Sequence, residues 1–420
     1  MKAKQFGLAA VLALCAAVAS AVEITVGSVK QRWPWNDKVD VAYNISGAIP
    51  KAAVGRIVIT AVIEGKEYAV YDSGIVNEGV FSGSHVYTWE NAPEGVKSGN
   101  CTMTATFEWE PVPEGDDYMV VNLVDGSVEY EGLFSNETEV AGVSGQELSN
   151  ARYNVDKYKT THMAFRKVPK GTYKATRGTS AFTEWTTDKD YYIALFCWTN
   201  AQYGYVIKNT DGTDATPWSN YELRGRNWKI IDTRGNTANN STPTVYANAE
   251  AAIAAKTWQP LSLLNAKTGM TFDIPTELMH EIACRAGTET TYFWGADLST
   301  ARMYAVYSGD ILADTGTGSA ACVGMKRPNA WGLYDMVGNQ WQWCKTYRGE
   351  GVPSDIFTPG SGGSSNLWKV RGQHMGADGT GMACTSVSQA YVIKTGTNSA
   401  ASYGFRAAYI VPNAEEPNAE

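Results

Sequence analysis

The sequence predicts two folded units of different class, an all-β sandwich followed by a loop-rich α+β domain. Three observations predict it. Short strands with alternating polarity, separated by Gly, Asn, Pro and Asp turns, fill the first third of the chain. Helical patterns with start and stop signals occur only after residue 200. The final third is rich in Trp and Gly and holds to neither helical nor strand period. An aromatic content of 11% with 41 glycines fits large rings buried in irregular structure, not a helical bundle.

Residues 1–21 have the layout of a signal peptide. Lys2 and Lys4 precede the apolar run Phe6 to Val18, and Ala19-Ser20-Ala21 is a small-x-small cleavage site. The chain is therefore expected to be exported to the periplasm, the cell surface or the medium, with no membrane span. Residues 22–134 read as β throughout. Val22 to Val26, Val39 to Tyr43 and Thr102 to Trp109 alternate, and Ile57 to Ile63 is a more buried strand. About seven short strands in this span suggest an immunoglobulin-like sandwich. Trp33-Pro34-Trp35 reads as aromatic cover at a domain edge.

Residues 135–159 turn polar and read as a linker. The second domain is placed at 160–411. Met163 to Val168 and Gly171 to Tyr173 look like a hairpin, and Asp190 to Thr199 is a buried strand entering a helix at Asn200 to Val206. The alanine-rich run Ala247 to Lys267 predicts a long helix. Pro275 to Ala286 predicts another, with Thr276 as its cap and Gly287 as its stop. The first and last strands of the domain are expected to pair. Residues 412–420, which repeat Pro-Asn-Ala-Glu, read as a disordered tail.

The most informative stretch is Arg327 to Cys344. It holds three tryptophans, one tyrosine, two glycines, two asparagines and one aspartate in eighteen residues. So many rings predict burial, while Asn329, Gly332, Asp335, Gly338 and Asn339 predict an irregular backbone. Buried irregular backbone needs partners for its N–H and C=O groups, and Asn and Asp side chains or a cation can supply them.

Composition excludes some classes. The net charge is −8, and loss of Lys2 and Lys4 leaves 33 basic against 43 acidic residues. With no basic stripe, nucleic acid and anionic membranes are poor partners. Six cysteines remain after Cys15: Cys101, Cys197, Cys284, Cys322, Cys344 and Cys384. An even number in an exported chain permits disulfides, but the absence of CxxC or dense spacing favours isolated buried thiols and disfavours zinc.

Five stretches, in order, carry a resemblance. These are Asp190-Tyr-Tyr-Ile with Thr199 and Tyr203, Ile274 to Gly287, Tyr292-Phe-Trp-Gly295, Pro328 to Trp343, and Gly404-Phe-Arg406. Together they resemble the formylglycine-generating enzymes, or sulfatase-modifying factor domains, over most of the second domain. The resemblance implies a C-type-lectin-like fold. It also implies an oxidase that converts a sulfatase cysteine to formylglycine with two cysteines holding one copper.

Carried over residue by residue, the turn Arg371-Gly372 places Ala377 and Met382 at the two thiol positions. Holding Cu(I) and exchanging with a substrate thiol needs two soft thiolates, so copper is not expected. Cys384 stands two residues beyond, as a redox nucleophile or a small buried hydrophobe. His374 with Asp378 offers an acid–base pair or an exposed loop pair. His280 reads as a hydrogen-bonded, partly buried histidine.

In the family the Trp-rich loop can wrap calcium. Here Asp335 matches the side-chain ligand, Gly338 and Gln340 offer carbonyls, and Gln342 stands where the family has Glu. Two alternatives remain, a weak calcium site or direct hydrogen bonding by Gln342. Trp331, Trp368 and Tyr391 are candidates to line the groove bordered by Gly360 to Gly363 and Gly376 to Gly381.

Three functions follow. The first is a non-catalytic binding or scaffold module for a peptide or glycan. The second is an active oxidase, in which Cys384 would meet a second thiol from Cys322 or Cys344. The third is a structural surface protein without an open groove.

Overall fold

The computed structural model describes residues 22–32, 37–47, 53–77, 82–97, 101–135, 140, 143–177, 181–206, 260–308, 310, 320–362, 364–391 and 403–413. Residues 1–21, Trp33-Pro34-Trp35, residues 247–259 of the alanine-rich run, Gly363 and residues 414–420 lie outside them. The chain divides into two compact units, the first ending at Pro111 and the second built from Val112 onward, apart from a short segment at 139–142.

The first unit contains strands β1 (Glu23–Gln31), β2 (Val39–Ser46), β3 (Ala53–Ile63), β4 (Lys66–Asn77), β5 (Gly83–Trp89) and β6 (Cys101–Pro111), with a single helical turn α1 (Glu94–Lys97). They form two antiparallel three-stranded sheets, β1-β2-β5 and β4-β3-β6. Alternation decides which face is covered. Val39, Val41, Tyr43 and Ile45 of β2 are buried, as are Ile57, Ile59, Ala61 and Ile63 of β3, and both sets join one core.

The second unit begins earlier than the composition suggests. Strands β7 (Tyr118–Asn122) and β8 (Val128–Glu131) fall within the span expected to be sandwich, yet they extend the main sheet of the second unit. That sheet has the order β13-β18-β12-β9-β7-β8, with β9 (His162–Val168), β12 (Tyr191–Ala194), β13 (Phe272–Asp273) and β18 (Ala408–Ile410). The expected pairing of first and last strands does not form, because the last strand, β18, lies between β12 and β13 and β12 separates it from β9. The expected hairpin of 163–168 with 171–173 does not form. Instead β10 (Gly171–Ala175) pairs with β11 (Thr183–Thr187), while β9 is flanked by β7 and β12.

The main sheet is covered on both faces. Tyr118, Val120, Ala164, Val168, Tyr191 and Ile193 point into one core, and Met119, Val121, Met163, Phe165, Tyr192 and Ala194 into the other. Double burial explains the unbroken apolar run of β7, which an exposed edge hairpin would not need. A second sheet, β16-β15-β14-β17, contains β14 (Trp341–Arg348), β15 (Ser364–Arg371), β16 (Val387–Tyr391) and β17 (Tyr403–Gly404), with β14 and β17 parallel.

The expected linker is instead ordered, folded structure from residue 143 onward. Helix α2 (Gly145–Tyr153) starts at a capping box in which Ser144 accepts from the Glu147 backbone and the Glu147 carboxylate accepts from the Ser144 backbone. The helix delivers Arg152 and Tyr153 to the buried Glu131 carboxylate, at 2.8 and 2.5 Å. Among its polar side chains, Arg152 is buried against Glu131 while Ser144 and Glu147 stay exposed at the cap. Helix α3 (Asn200–Val206) falls where the sequence places it, and α4 (Pro260–Thr268) is the described end of the alanine-rich run. Helix α5 (Glu277–Arg285) is capped by Thr276, whose hydroxyl accepts from the Met279 backbone, and ends through Ala286 and Gly287 at positive φ.

Replacing Ser144 with Ala is expected to lower the stability of the second unit by about 1 kcal/mol, the ordinary worth of a helix N-cap. A urea unfolding curve followed by tryptophan fluorescence checks this, and an unchanged midpoint would contradict the structural role of α2.

Candidate functional site

The Trp-rich stretch is buried, and its own polar side chains organise it. Asn329 Nδ2 donates to the carbonyls of Ala283 (2.7 Å) and Cys284 (3.1 Å), satisfying the C-terminal end of α5, while its Oδ1 accepts from the Trp331 and Leu333 backbones. Asn339 exchanges two hydrogen bonds with the backbone of Ala321, at 2.9 and 3.2 Å. Asp335 Oδ2 accepts from the Gly324 backbone at 2.8 Å. Asp335 and Asn339 both sit at positive φ, where Asp and Asn are tolerated. Gly338 has φ +78, and a Cβ there would lie 2.6 Å from the Val306 carbonyl, so only glycine fits. Its N–H donates to the Gly372 carbonyl at 2.6 Å, tying this stretch to the loop after β15.

Gln342 is at the centre and fully buried. Its Oε1 accepts from Arg406 Nε (2.6 Å) and from His280 Nε2 (3.0 Å), and its Nε2 donates to the Asp335 carbonyl (2.6 Å). That geometry makes Nε2 the protonated nitrogen of His280. Arg406, itself fully buried, also donates to the carbonyls of Ala194 (2.9 Å), Leu195 (2.7 Å) and Tyr334. Burial first, then the Arg371 and Arg406 charges, push the His280 pKa down to about 3.

This donor set does not fit a calcium ion. The Gln342 oxygen already serves Arg406 and His280, and a cation there would meet a guanidinium within hydrogen-bond range. Asp335 keeps one carboxylate oxygen, Oδ1, without a hydrogen-bond partner, and burial raises its pKa. One such oxygen without further carboxylates is a poor calcium ligand set.

The second charged layer runs along α5. Glu277 and Glu281 are one turn apart and both face Arg371 from β15, at 3.1 and 3.0 Å. Glu281 also accepts from the Thr176 and Arg177 backbones and from Arg285 (3.0 Å), and Lys369 pairs with Glu277. These partners hold the Glu281 carboxyl below its usual range against the opposing effect of burial. Arg371 then donates to the Cys384 carbonyl at 2.7 Å, and the Cys384 N–H donates to the Thr291 carbonyl at 2.9 Å.

The remaining predicted residues fall as follows. Ala377 is partly buried against the core, and Met382 is fully buried in it, at the end of the 3₁₀ turn Gly379–Met382. Neither supplies a thiolate, so the positions matched to copper ligands do not fit copper. His374 and Asp378 are not brought together as an acid–base pair. His374 Nδ1 accepts from the Gly376 backbone at 3.1 Å, and Asp378 caps the 3₁₀ turn through the Thr380 and Gly381 backbones.

Cys384 does meet a second thiol, and it is neither Cys322 nor Cys344 but Cys284 on α5. The Cys284 thiol is pushed well above the usual thiol range by the neighbouring Cys384 and by burial. Cys384 is held below that range by Cys284, against the opposing effect of burial. Their relative exposures, 1% and 2%, set them away from solvent. The two cysteines are a hundred positions apart with no shared motif, so no local signal in the sequence could have paired them. Trp368 packs edge-on against Trp343 and Tyr347, and Trp331 edge-on against Tyr173, so both belong to packing. The side chain of Tyr391 lies outside the described set.

A mixed, sheet-rich domain with few helices, knotted by a Trp-rich loop around a buried arginine, defines the class. The sulfatase-modifying factor enzyme 1-like domain matches residues 113–410, and the chain belongs to that family. The start of the match agrees with the boundary at Pro111. The formylglycine-generating enzyme of Thermomonospora curvata is 29% identical over 176 residues, covering 39% of this chain and 52% of that protein. The one from Streptomyces coelicolor is 28% identical over 165 residues, covering 36% and 49%. The chain thus spans about half the length of these curated relatives. Among solved structures, variable protein 1 of Treponema denticola (17% identity, TM-score 0.40, 59% of this chain and 95% of that one) and PvdO of Pseudomonas aeruginosa (19%, 0.40, 59% and 94%) are similar.

Two predictions test the centre. Gln342→Leu is expected to cost about 3 kcal/mol or more, because it leaves Arg406 Nε, His280 and a carbonyl unpaired; urea unfolding measures it. His280 takes up its proton only in the unfolded chain between pH 6.5 and about 3, so its contribution is intact above 6.5 and lost as pH falls. Asp273 opposes this, because burial raises its folded pKa to about 6 and its contribution is lost as pH rises through 6. The stability difference between the wild type and His280→Phe is therefore the clean readout. It should shift against the wild type by about 1.4 kcal/mol per unit as pH falls below 6.5; a flat difference would contradict a neutral buried His280.

Proposed function

We propose that the chain is an exported, non-catalytic member of the family, with its second unit acting as a binding or scaffold module for a peptide or glycan. The observation that carries this reading is the occupancy of the two thiol positions by Ala377 and a buried Met382. The buried placement of Cys384 supports it, since a substrate cysteine has to reach a reactive thiolate. Export is read from the sequence of residues 1–21. No helix among the described residues is long and apolar enough to cross a membrane. The first unit, in this reading, is an immunoglobulin-like spacer. The closing of the Trp-rich loop by Gln342 and Arg406 takes the part that calcium would otherwise play.

The second reading is an oxidase that uses the Cys284 and Cys384 sulfurs, and their adjacency is what favours it. The two readings separate on one experiment. The full chain is incubated with Cu(I) and a peptide carrying a sulfatase-type cysteine, and the peptide is read by mass spectrometry. No mass change and no copper retained after gel filtration are expected; formylglycine in the peptide would establish the oxidase. A peptide and glycan array probed with and without calcium then tests binding, and no bound probe would remove the binding module.

Calcium is tested directly. The midpoint of thermal unfolding is expected to be the same in EDTA and in about 1 mM calcium, the range of weak extracellular sites. A rise of several degrees with calcium would overturn the hydrogen-bonded reading of the loop.

A further inference from the structure

We infer that β5 is a docking edge for a second copy of this chain, which pairs with it through the same strand across a twofold axis. The edge strands of the first unit are β1, β5, β4 and β6. An open edge invites another strand, and charges, prolines and irregular register blunt it. β1 carries Glu23 and Lys30 and shifts register against β2 between Val26 and Ser28. β4 carries Lys66, Glu67 and Asp72 and shifts register against β3 at two places. β6 carries Glu108 and Glu110 and ends on Pro111. β5, Gly83-Ser-His-Val-Tyr-Thr-Trp89, has no Pro, Asp, Glu, Lys or Arg, and it pairs with β2 in one unbroken register. Val86 at its centre is 65% exposed, against 41% for Val62, the other large apolar side chain that the described part of the first unit leaves in solvent.

The sequence of β5 is its own antiparallel complement, which is what selects a second copy over a foreign strand. A twofold axis through Val86 sets the two valines opposite each other. Ser84 then faces Thr88 on the outer side, and His85 faces Tyr87 on the inner side. Gly83 meets Trp89, so a large ring covers the position that has no side chain. Ser–Thr and aromatic pairs are among the cross-strand combinations that stabilise antiparallel strands, and no like charges meet. The inner rim of this edge is aromatic. Tyr71 and Tyr87 lie 4.4 Å apart, and Tyr43 stacks on His85 at 5.2 Å. His85 Nε2 is buried there without a hydrogen-bond partner, and the opposing Tyr87 is the neighbour this register brings to it. The pairing joins two three-stranded sheets into one, in the order β1-β2-β5-β5-β2-β1.

Pairing through one short strand makes a small interface of the weak class. The chain from Val22 onward is therefore sedimented at about 100 μM and at about 1 μM, which bracket a Kd of about 10 μM. The wild type is expected to have the mass of two chains at the higher concentration and of one at the lower. Val86→Lys sets two ammonium groups against each other at the axis and should be monomeric at both, while Val62→Lys should behave as the wild type. Val86→Cys, oxidised with glutathione disulfide, should run as a covalent dimer on a non-reducing gel, because directly opposed Cβ atoms lie about 5 Å apart, within reach of a disulfide. Val62→Cys should not. A monomeric wild type at the higher concentration would overturn the inference, and so would a Val86→Lys variant that dimerises as the wild type does. If Val86→Lys fails to fold, the Val86→Cys gel decides, and the absence of a covalent dimer rules out the β5 edge.

Discussion

The second unit depends on one buried guanidinium. Arg406 reaches β12 through Ala194 and Leu195, the Trp-rich stretch through Tyr334, and the start of β14 through Gln342. These partners come from three separate parts of the sequence and have no regular hydrogen-bond ladder between them. Arg is suited to the place because five donors in a rigid fork can satisfy several carbonyls at once. A buried cation without a directly paired carboxylate is costly unless its donors are all satisfied. The cost of removing any partner therefore falls on the whole junction, which makes it a strong selector for one arrangement of the loops.

Gln342 ties this junction together from both ends of its amide. An amide both donates and accepts, so it can hold Arg406 and His280 with its oxygen and the Asp335 carbonyl with its nitrogen. A carboxylate could accept from Arg406 but could not donate to that carbonyl. The identity of one side chain thus changes the electrostatic problem the loop must solve. His280 answers to the same arrangement, since only a neutral imidazole is tolerated beside Arg371 and Arg406.

Much of this was legible in the residues themselves. The turn formers of the Trp-rich stretch announced an irregular backbone, and Asn329, Asp335 and Asn339 are the side chains that satisfy it. Thr276 and Gly287 marked the ends of α5. Other features were hidden for physical reasons. Residues 135–159 resemble a linker in composition, and the Arg152–Glu131 ion pair that buries part of them spans twenty-one residues, a pairing no local window contains. Ser144 and Glu147 did carry the capping-box signal for α2. Strands β7 and β8 carry β signals that fit either unit, and only their pairing partners assign them to the second. The proximity of Cys284 and Cys384 is likewise tertiary.

The charged layer on α5 explains how the fold and the chemistry of the loop after β15 can vary separately. Glu277 and Glu281 face three cations, Arg285, Lys369 and Arg371, so removing either carboxylate leaves buried positive charge uncompensated. Arg371 ends β15 and grips the loop a second time at the Cys384 carbonyl. Between these anchors the chain makes its own short turns, with Asp378 capping Gly379–Met382 and His374 closing on Gly376. The loop's path is therefore fixed at its ends by α5 and within by local backbone contacts. Positions 377 and 382 contribute packing and no hydrogen-bonding side chain, so Ala and Met there leave the anchoring intact. A domain built this way can keep its architecture while its loop chemistry changes.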